Sequence, residues 1–256
     1  MNNNYLRYSQ QGLSLYWRSL AKMRGLNLHS GDIEWVKSNK KGGAERIFSV
    51  NLNDNNVNQR LKLLVQLIKQ NKAPTGILLS PNSKPNNIAD ILPNYGFTVD
   101  YNTGSVMILN LTDKFNYSRL NSLLIRRVTS TEELKHFASI VNGALFKEQL
   151  FSYEQYLDLF NLNNTYFYLA YYNNQPVATC LLIAEQDLVT VEFVSTLKEY
   201  RNRGIATAIT GFTLNEAKNL GITIAVLRAE KEAINVYKRV GFQEVYKRIV
   251  ASYGGN

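Results

Sequence analysis

Arg201, Asn202, Arg203 and Gly204 stand between a β-branched apolar run, 188–196, and a stretch in which Ile205, Ala208, Ile209 and Phe212 recur at helical spacing. Strand, glycine loop and helix start are the parts of an anion site. A helix N-terminus offers unpaired N–H groups and the positive end of a dipole, and phosphate binds there readily. Gly204 lets a phosphate approach the backbone. Ala206 and Thr207 keep the next turn slim, and Arg201 and Arg203 can add charge-assisted hydrogen bonds. An ordinary strand–helix connection with surface arginines is the other reading of the same segment. The loop lacks the Gly-Lys-Ser/Thr of a nucleotide-binding P-loop. It also lacks the further glycines of a dinucleotide fingerprint.

Other chemistries find little support. The only histidines are His29 and His136, and Cys180 is the single cysteine. These cannot build the usual zinc sites, and no metal is expected. His136 falls off the apolar stripe Leu134, Phe137, Ile140, Val141, Ala144, so it reads as a surface residue. A Ser-His-Asp hydrolase has no visible triad. One cysteine rules out a disulfide framework within the chain and makes a reducing, cytoplasmic setting the simplest reading. The polar start, MNNNYLRYSQQ, reads as neither signal peptide nor membrane span. A net charge of +9 favours an anionic partner. The charge is scattered, however, and the densest group is KSNKKGG at 37–43, so nucleic acid is not expected.

The elements that must position the loop fall into two halves, 1–115 and 116–256. In the second, LLIRRV (123–128) reads as a strand and a helix follows, with Ser130 and Glu133 as its capping box. SYEQYLDLF is a second helix. TYFYLAYY, VATCLLIAE and LVTVEFVST are joined by short turns and read as an antiparallel meander. The glycine loop and its helix come next and end near Gly221. A strand (TIAVL), a short helix stopped at Gly241 and one closing strand (QEVYKRIVASY) complete the half. The first half repeats this grammar: a helix over LSLYWRSLAKM, strands DIEWVKS and ERIFSVNL, the helix VNQRLKLLVQLIKQ, the strand TGILLS, a short helix ending at Gly96-Phe97, and a last strand SVMILNL. LPNYGF matches YKRVGF in position, which hints at an internal duplication. NLNDNNVN, without glycine or arginine, stands where the second half has its loop. TDKFNYSRLNS (112–122) reads as the linker.

VSTLKEYRNRGIATAIT resembles the central motif of the GCN5-related N-acetyltransferases (GNAT), Arg/Gln-x-x-Gly-x-Gly/Ala. AINVYKRVGF resembles their later motif, Ala-x-x-x-Tyr-x-x-x-Gly-Phe. The spacing and element order agree over about residues 123–253, and the whole chain resembles a bacterial tandem member with a degenerate first half. The resemblance implies an α/β (α+β layered) fold of two GNAT-like halves, each a mixed, mostly antiparallel sheet flanked by helices. It implies acetyl-CoA as cosubstrate and an amine-bearing acceptor. The pantetheine arm would lie along Val194 and Thr196. The pyrophosphate would sit on Arg201, Asn202, Arg203, Gly204, Ile205, Ala206 and Thr207. A backbone N–H near Val194 could stabilise the developing oxyanion, and Tyr237 would protonate the departing thiolate, a packing residue of its helix being the other reading. Many relatives carry asparagine where this chain has Glu230, which alters a contact to the arm.

No motif fixes a general base. Glu192 is the candidate, a carboxylate in an apolar strand that alternation places on the face of Thr190 and Val194, where burial would raise its pKa. A carboxylate facing solvent or paired with an arginine is the alternative. Two other readings of the chain are a non-catalytic acyl-CoA sensor, which would bind the ligand without releasing thiol, and a basic nucleic-acid binder, whose binding would collapse with salt. The acceptor and the oligomeric state are not written in the sequence.

Overall fold

The computed structural model describes residues 3–116, 120–145 and 149–254. The first helix, α1 (Asn3–Leu20), begins ten residues before the expected apolar stretch. Its polar-looking start holds Tyr5, Leu6 and Tyr8, which pack against Ile108, Val226 and Val245. Tertiary burial thus extends a helix whose local pattern is weak. Gly12 lies where α1 crosses the second sheet. A Cβ there would overlap the Val226 side chain, so glycine sets the close approach.

The first sheet is built from β1 (Leu26–His29), β2 (Ile33–Ser38), β3 (Arg46–Val50), β4 (Gly76–Leu79) and β5 (Phe97–Asp100). Helices α2 (Val57–Lys69) and α3 (Ile88–Ile91) connect β3 to β4 and β4 to β5. The second sheet contains β7 (Leu123–Arg127), β8 (Thr165–Tyr172), β9 (Gln175–Glu185), β10 (Leu188–Thr196), β11 (Ile224–Ala229) and β12 (Gln243–Lys247). Helices α4 (Thr131–Ala144) and α5 (Tyr153–Phe160) precede β8, α6 (Ile205–Asn219) joins β10 to β11, and α7 (Ile234–Val240) joins β11 to β12. The expected meander is present, with β8, β9 and β10 antiparallel in series. Ser130 caps α4 by accepting from the Glu133 N–H, while the Glu133 carboxylate reaches back to the N–H of Thr129. His136 is exposed, as read.

Two strands cross between the halves. β6 (Ser105–Asn110), the last strand of the first half, lies between β11 and β12. The stretch expected to form one closing strand forms two. It breaks at Arg248, and β13 (Ile249–Tyr253) lies between β4 and β5 of the first sheet. The two strand orders, β3-β4-β13-β5 and β10-β11-β6-β12, are therefore equivalent, and the repeat suspected from Gly-Phe is written in the topology. A division at residue 115 separates β6 from the sheet in which it is hydrogen-bonded on both edges. β6 carries buried side chains along its length, so either sheet could satisfy its pattern and local sequence could not choose.

One core spans the halves. Leu13, Trp17, Leu20 and Phe48 from the first half share a cluster with Phe137, Phe151, Tyr156, Phe167 and Phe193 from the second. The expected linker runs through residues 117–119, which lie outside the described residues. Before it, the Asn116 N–H donates to Val240 O, and beyond it Leu120 packs on the second core. Among the described residues no helix is long and apolar enough to cross a membrane.

Candidate active site

The glycine loop begins where β10 ends. A 3₁₀ turn at Lys198–Tyr200 leads into Arg201–Gly204, where Asn202 (φ 62°) and Gly204 (φ 77°) take left-handed conformations. Gly204 is the N-cap of α6 and no side chain caps that end, so the first-turn N–H groups of Ile205, Ala206 and Thr207 keep their donors for another partner. The buried side chain of Ile205 anchors the turn in the core. A Cβ on Gly204 would find only Leu120 Cδ1 nearby, at 3.9 Å. Glycine is required there by its φ and by the bare surface it leaves.

The two arginines brace the loop. Arg201 donates from Nε to Thr196 O at 3.0 Å and from Nη2 to Ala144 O at 2.9 Å. Ala144 is the last residue of α4, so this guanidinium meets the negative end of a helix dipole. Arg203 donates to Glu199 O at 3.1 Å and lies over the rings of Tyr200 and Tyr172. Their charges stay beside the α6 N-terminus, while their best donors already hold main-chain carbonyls.

β10 pairs with β11 in parallel at 188–190 against 224–226, and beyond Thr190 no residue of β10 has a partner in β11. The edge of 191–196 that faces β11 is thereby open. Against β9 the register slips between Glu192 and Ser195, where Phe193 has φ 48° and its carbonyl accepts from Thr179 Oγ1 at 2.7 Å. This is a β-bulge, and it corrects the alternation argument. Glu192 does share a face with Thr190, which donates to it at 2.5 Å. The extra residue puts Phe193 into the core shared with α1 and α5, while Val194 packs into the opposite cluster with α6. Val194 and Glu192 consequently face opposite ways. Among the described residues the buried Ser195 and Thr196 hydroxyls have no partner. A strand edge with open main chain and two orphaned hydroxyls, ending at an uncapped helix N-terminus, fits an extended amide-bearing chain that terminates in phosphate.

Glu192 is buried and ion-paired with Arg228 Nη2 at 2.6 Å. Burial pushes its carboxyl up from the ordinary carboxylate value, against the opposing pull of Arg228 and the Thr190 hydroxyl. Arg228 in turn lies over the ring of Tyr16 from α1, 4.2 Å from its centroid. Tyr237 on α7 is buried edge-on to Phe242, and among the described residues its hydroxyl has no hydrogen-bond partner. Burial, and after it the nearby Cys180, Glu192 and Glu230 charges, hold its phenol well above the ordinary value. Glu192 stands just past the point where β10 and β11 part, and Tyr237 packs on the other face of the sheet, in the cluster of Val191 and Ile205. Glu230 points away, to Arg248 at 2.7 Å. Among the described residues no three metal-ligating side chains gather.

Sequence reasoning missed Ser195 and Arg228. A charged residue inside the apolar run TIAVLRA was the available signal for Arg228, since such a residue needs a buried counter-charge. For Ser195 there was none, because the bulge that buries it is a tertiary feature.

Residues 133–242 match the family model described as Acetyltransferase (GNAT) family. An uncharacterized protein of Bacillus subtilis (strain 168), YyaT, is 27% identical over 121 residues, which are 46% of this chain and 82% of that protein. A GCN5-related N-acetyltransferase from Kribbella flavida superposes with a TM-score of 0.75 at 17% identity, covering 97% of this chain and 96% of that one. A tandem GNAT protein from the clavulanic acid biosynthesis pathway, solved without AcCoA, superposes with a TM-score of 0.63 at 11% identity, covering 100% of this chain and 97% of the other.

Proposed function

We propose that this chain, whose residues 133–242 match the GNAT family model, is an N-acetyltransferase that moves the acetyl group of acetyl-CoA to an amine by direct attack on the thioester. The observation that carries this reading is the open edge of β10 leading to the uncapped N-terminus of α6. Acetyl-CoA, as substrate, supplies an activated acetyl group and a thiolate leaving group. Main chain at Val194 and Thr196 holds the pantetheine arm. The loop from Arg201 to Gly204, with the first turn Ile205–Thr207, holds the pyrophosphate. The bulge turns main chain of 193–195 toward the acyl position, where an N–H stabilises charge that develops on the carbonyl oxygen.

Glu192 takes the proton that the acceptor nitrogen loses as the C–N bond forms and the C–S bond breaks. Both its oxygens already accept a hydrogen bond, and each keeps a second lone pair. Tyr237 gives its proton to the departing sulfur and regains one from water. The phenol is neutral at pH 7 and so carries the proton to be given, while the burial that raises its pKa also makes it a weaker acid. The first half holds no CoA. At the start of α2 the Asn53 side chain accepts from the Asn55 N–H, and Arg60 is ion-paired with Asp32. A carboxylate fixed there repels phosphate.

The test is a thiol-release assay across amines, polyamines, amino acids and peptide N-termini, beside calorimetric titration with acetyl-CoA. Acetyl-CoA should bind at one site per chain and release thiol with at least one acceptor class. Binding without release on any acceptor would leave a sensor instead of an enzyme.

A further inference from the structure

Helix α1 belongs to the first half, yet it sits on the second sheet in step with the strands that carry Glu192. Thr190 of β10 and Val226 of β11 are partners in the parallel ladder. Gly12 lies over both, since a Cβ on it would overlap Val226 Cγ2 and stand 3.8 Å from Thr190 Cβ. One helical turn further along α1 is Tyr16, an advance of about 6 Å. Two residues further on the same face of each strand are Arg228 and Glu192, an advance of about 6.6 Å. The matching steps bring these three side chains together just past the point where the ladder ends.

The contacts among them are close. Arg228 Nη2 donates to Glu192 Oε2 at 2.6 Å, and the Thr190 hydroxyl donates to Oε1. The Arg228 guanidinium lies 4.2 Å from the centroid of the Tyr16 ring. That ring also meets Phe193, the residue after Glu192, edge to face at 6.2 Å. Behind it, Trp17 stands edge-on to Tyr16 at 5.2 Å and stacks on Phe48 of β3 at 6.4 Å. A line of rings thus runs from the first sheet to the neighbour of Glu192 and to its ion-pair partner. Glu192 is buried and Arg228 nearly so. A buried ion pair is a poor stabiliser beside apolar side chains of the same size, so packing alone gives no reason for this one. Burial, and after it the Glu192 charge, hold the Tyr16 phenol above its ordinary value. It stays neutral, and what it offers Arg228 is the face of its ring.

Building on the acetyltransferase reading above, we propose that Tyr16 is a positioning residue for the reaction: its ring holds the Arg228 guanidinium, and Arg228 fixes the Glu192 carboxylate that takes the proton of the acceptor amine. The first half, assigned no cofactor, thereby completes the proton acceptor of the second. A flat guanidinium lies on an aromatic face while its edge meets a carboxylate, and Arg228 does both at once. Its charge favours the ionised carboxylate against the burial that disfavours it. The other groups coupled to Glu192 are the Arg248 charge and, on the opposite face of the sheet, the neutral Cys180 and Tyr237. No bond or proton moves at Tyr16, which acts only through Arg228.

The experiment measures kcat against pH in the thiol-release assay for wild type, Tyr16→Met, Tyr16→Phe and Arg228→Gln. A second arm, without acetyl-CoA, follows the Glu192 carboxyl by carbon NMR as pH is changed, its signal identified by its loss in Glu192→Gln. Methionine fills the space of the ring with an adaptable chain, so Tyr16→Met should fold. Arg228→Gln leaves α1 intact and serves if it does not. Tyr16→Met should lower kcat by about tenfold with little change in KM for acetyl-CoA. It should also move the rise of activity with pH, and the carboxyl titration, to higher pH, because the charge that favours ionised Glu192 is no longer held in place. Arg228→Gln should move both further in the same direction. Tyr16→Phe keeps the ring and should keep the wild-type positions of both. A fall in kcat in Tyr16→Met with both positions unmoved is a packing effect, which overturns the proposal and leaves the acetyltransferase reading intact. A titration unmoved in Arg228→Gln overturns it equally. If acetyl-CoA neither binds nor releases thiol, that reading falls and the titration alone decides. A shift in Tyr16→Met that is absent in Tyr16→Phe upholds the brace on Glu192, and no shift refutes it.

Discussion

At the scale of single residues, Gly204, Glu192 and Tyr237 carry separable tasks. Space alone would admit a Cβ at Gly204, so Gly204→Glu should fold at the modest cost of a non-glycine residue at positive φ. Its carboxylate would stand where phosphate approaches. We expect CoA affinity to fall by at least about tenfold, about 1.4 kcal/mol, by calorimetry. Unchanged affinity in a folded variant would remove the loop from the cofactor site. Tyr237→Phe keeps the edge-on contact with Phe242 and loses no hydrogen bond, so stability should hold while kcat falls by about 10²-fold with little change in CoA affinity. Near-full turnover, with chemistry rate-limiting, would make Tyr237 a packing residue. Glu192 must be ionised to accept a proton, and burial raises its value above the ordinary 4.5. Activity should therefore rise with pH through a group above 4.5, and Glu192→Gln should lose that limb as well as most of kcat. An unchanged pH profile in this variant would exclude Glu192 as the base. The variant also leaves Arg228 buried without its counter-charge and should destabilise the protein by about 3 kcal/mol or more.

At the scale of elements, what matters is how the exchanged strands are pinned. Glu244 of β12 accepts from Ser105 of β6 at 2.6 Å and pairs with Lys238 of α7 and Lys247. The Lys238, Lys247 and Ser105 contacts hold its carboxyl down to about 2. The folded value lies below the ordinary 4.5, so folding favours the ionised form. The contribution is complete above about pH 4.5 and disappears as pH falls through about 2. Its size at neutral pH should be about 1 kcal/mol, because the two lysines are half-exposed. Glu244→Gln should be less stable than wild type at pH 7 and equal to it near pH 2 in urea titrations. A gap that persists at low pH would mean that Glu244 acts through packing.

At the scale of the whole molecule, neither half owns a complete sheet. Residues 116–256 lack β6, which fills the slot between β11 and β12, and residues 1–115 lack β13, which fills the slot between β4 and β5. The shared core under α1 would be opened by the same cut. Expressed alone, each piece should therefore be unfolded by circular dichroism. Expressed together, they should assemble into one complex that binds acetyl-CoA at a single site. A cooperatively folded 116–256 fragment with undiminished CoA affinity would show that the exchange is dispensable. So would two acetyl-CoA sites per chain contradict a first half without a cofactor.

The sequence by itself determined the order of elements, the meander, the caps and the glycine loop, because each is set by local periodicity and turn chemistry within a few residues. It also made the internal repeat legible through LPNYGF and YKRVGF. Strand ownership could not be read from it. β6 and β13 occupy equivalent slots in the two sheets, and an all-apolar strand such as β6 suits either. Nor could the facing of Val194 be read, since one extra residue at Phe193 inverts the alternation and only the ladder with β9 reveals it.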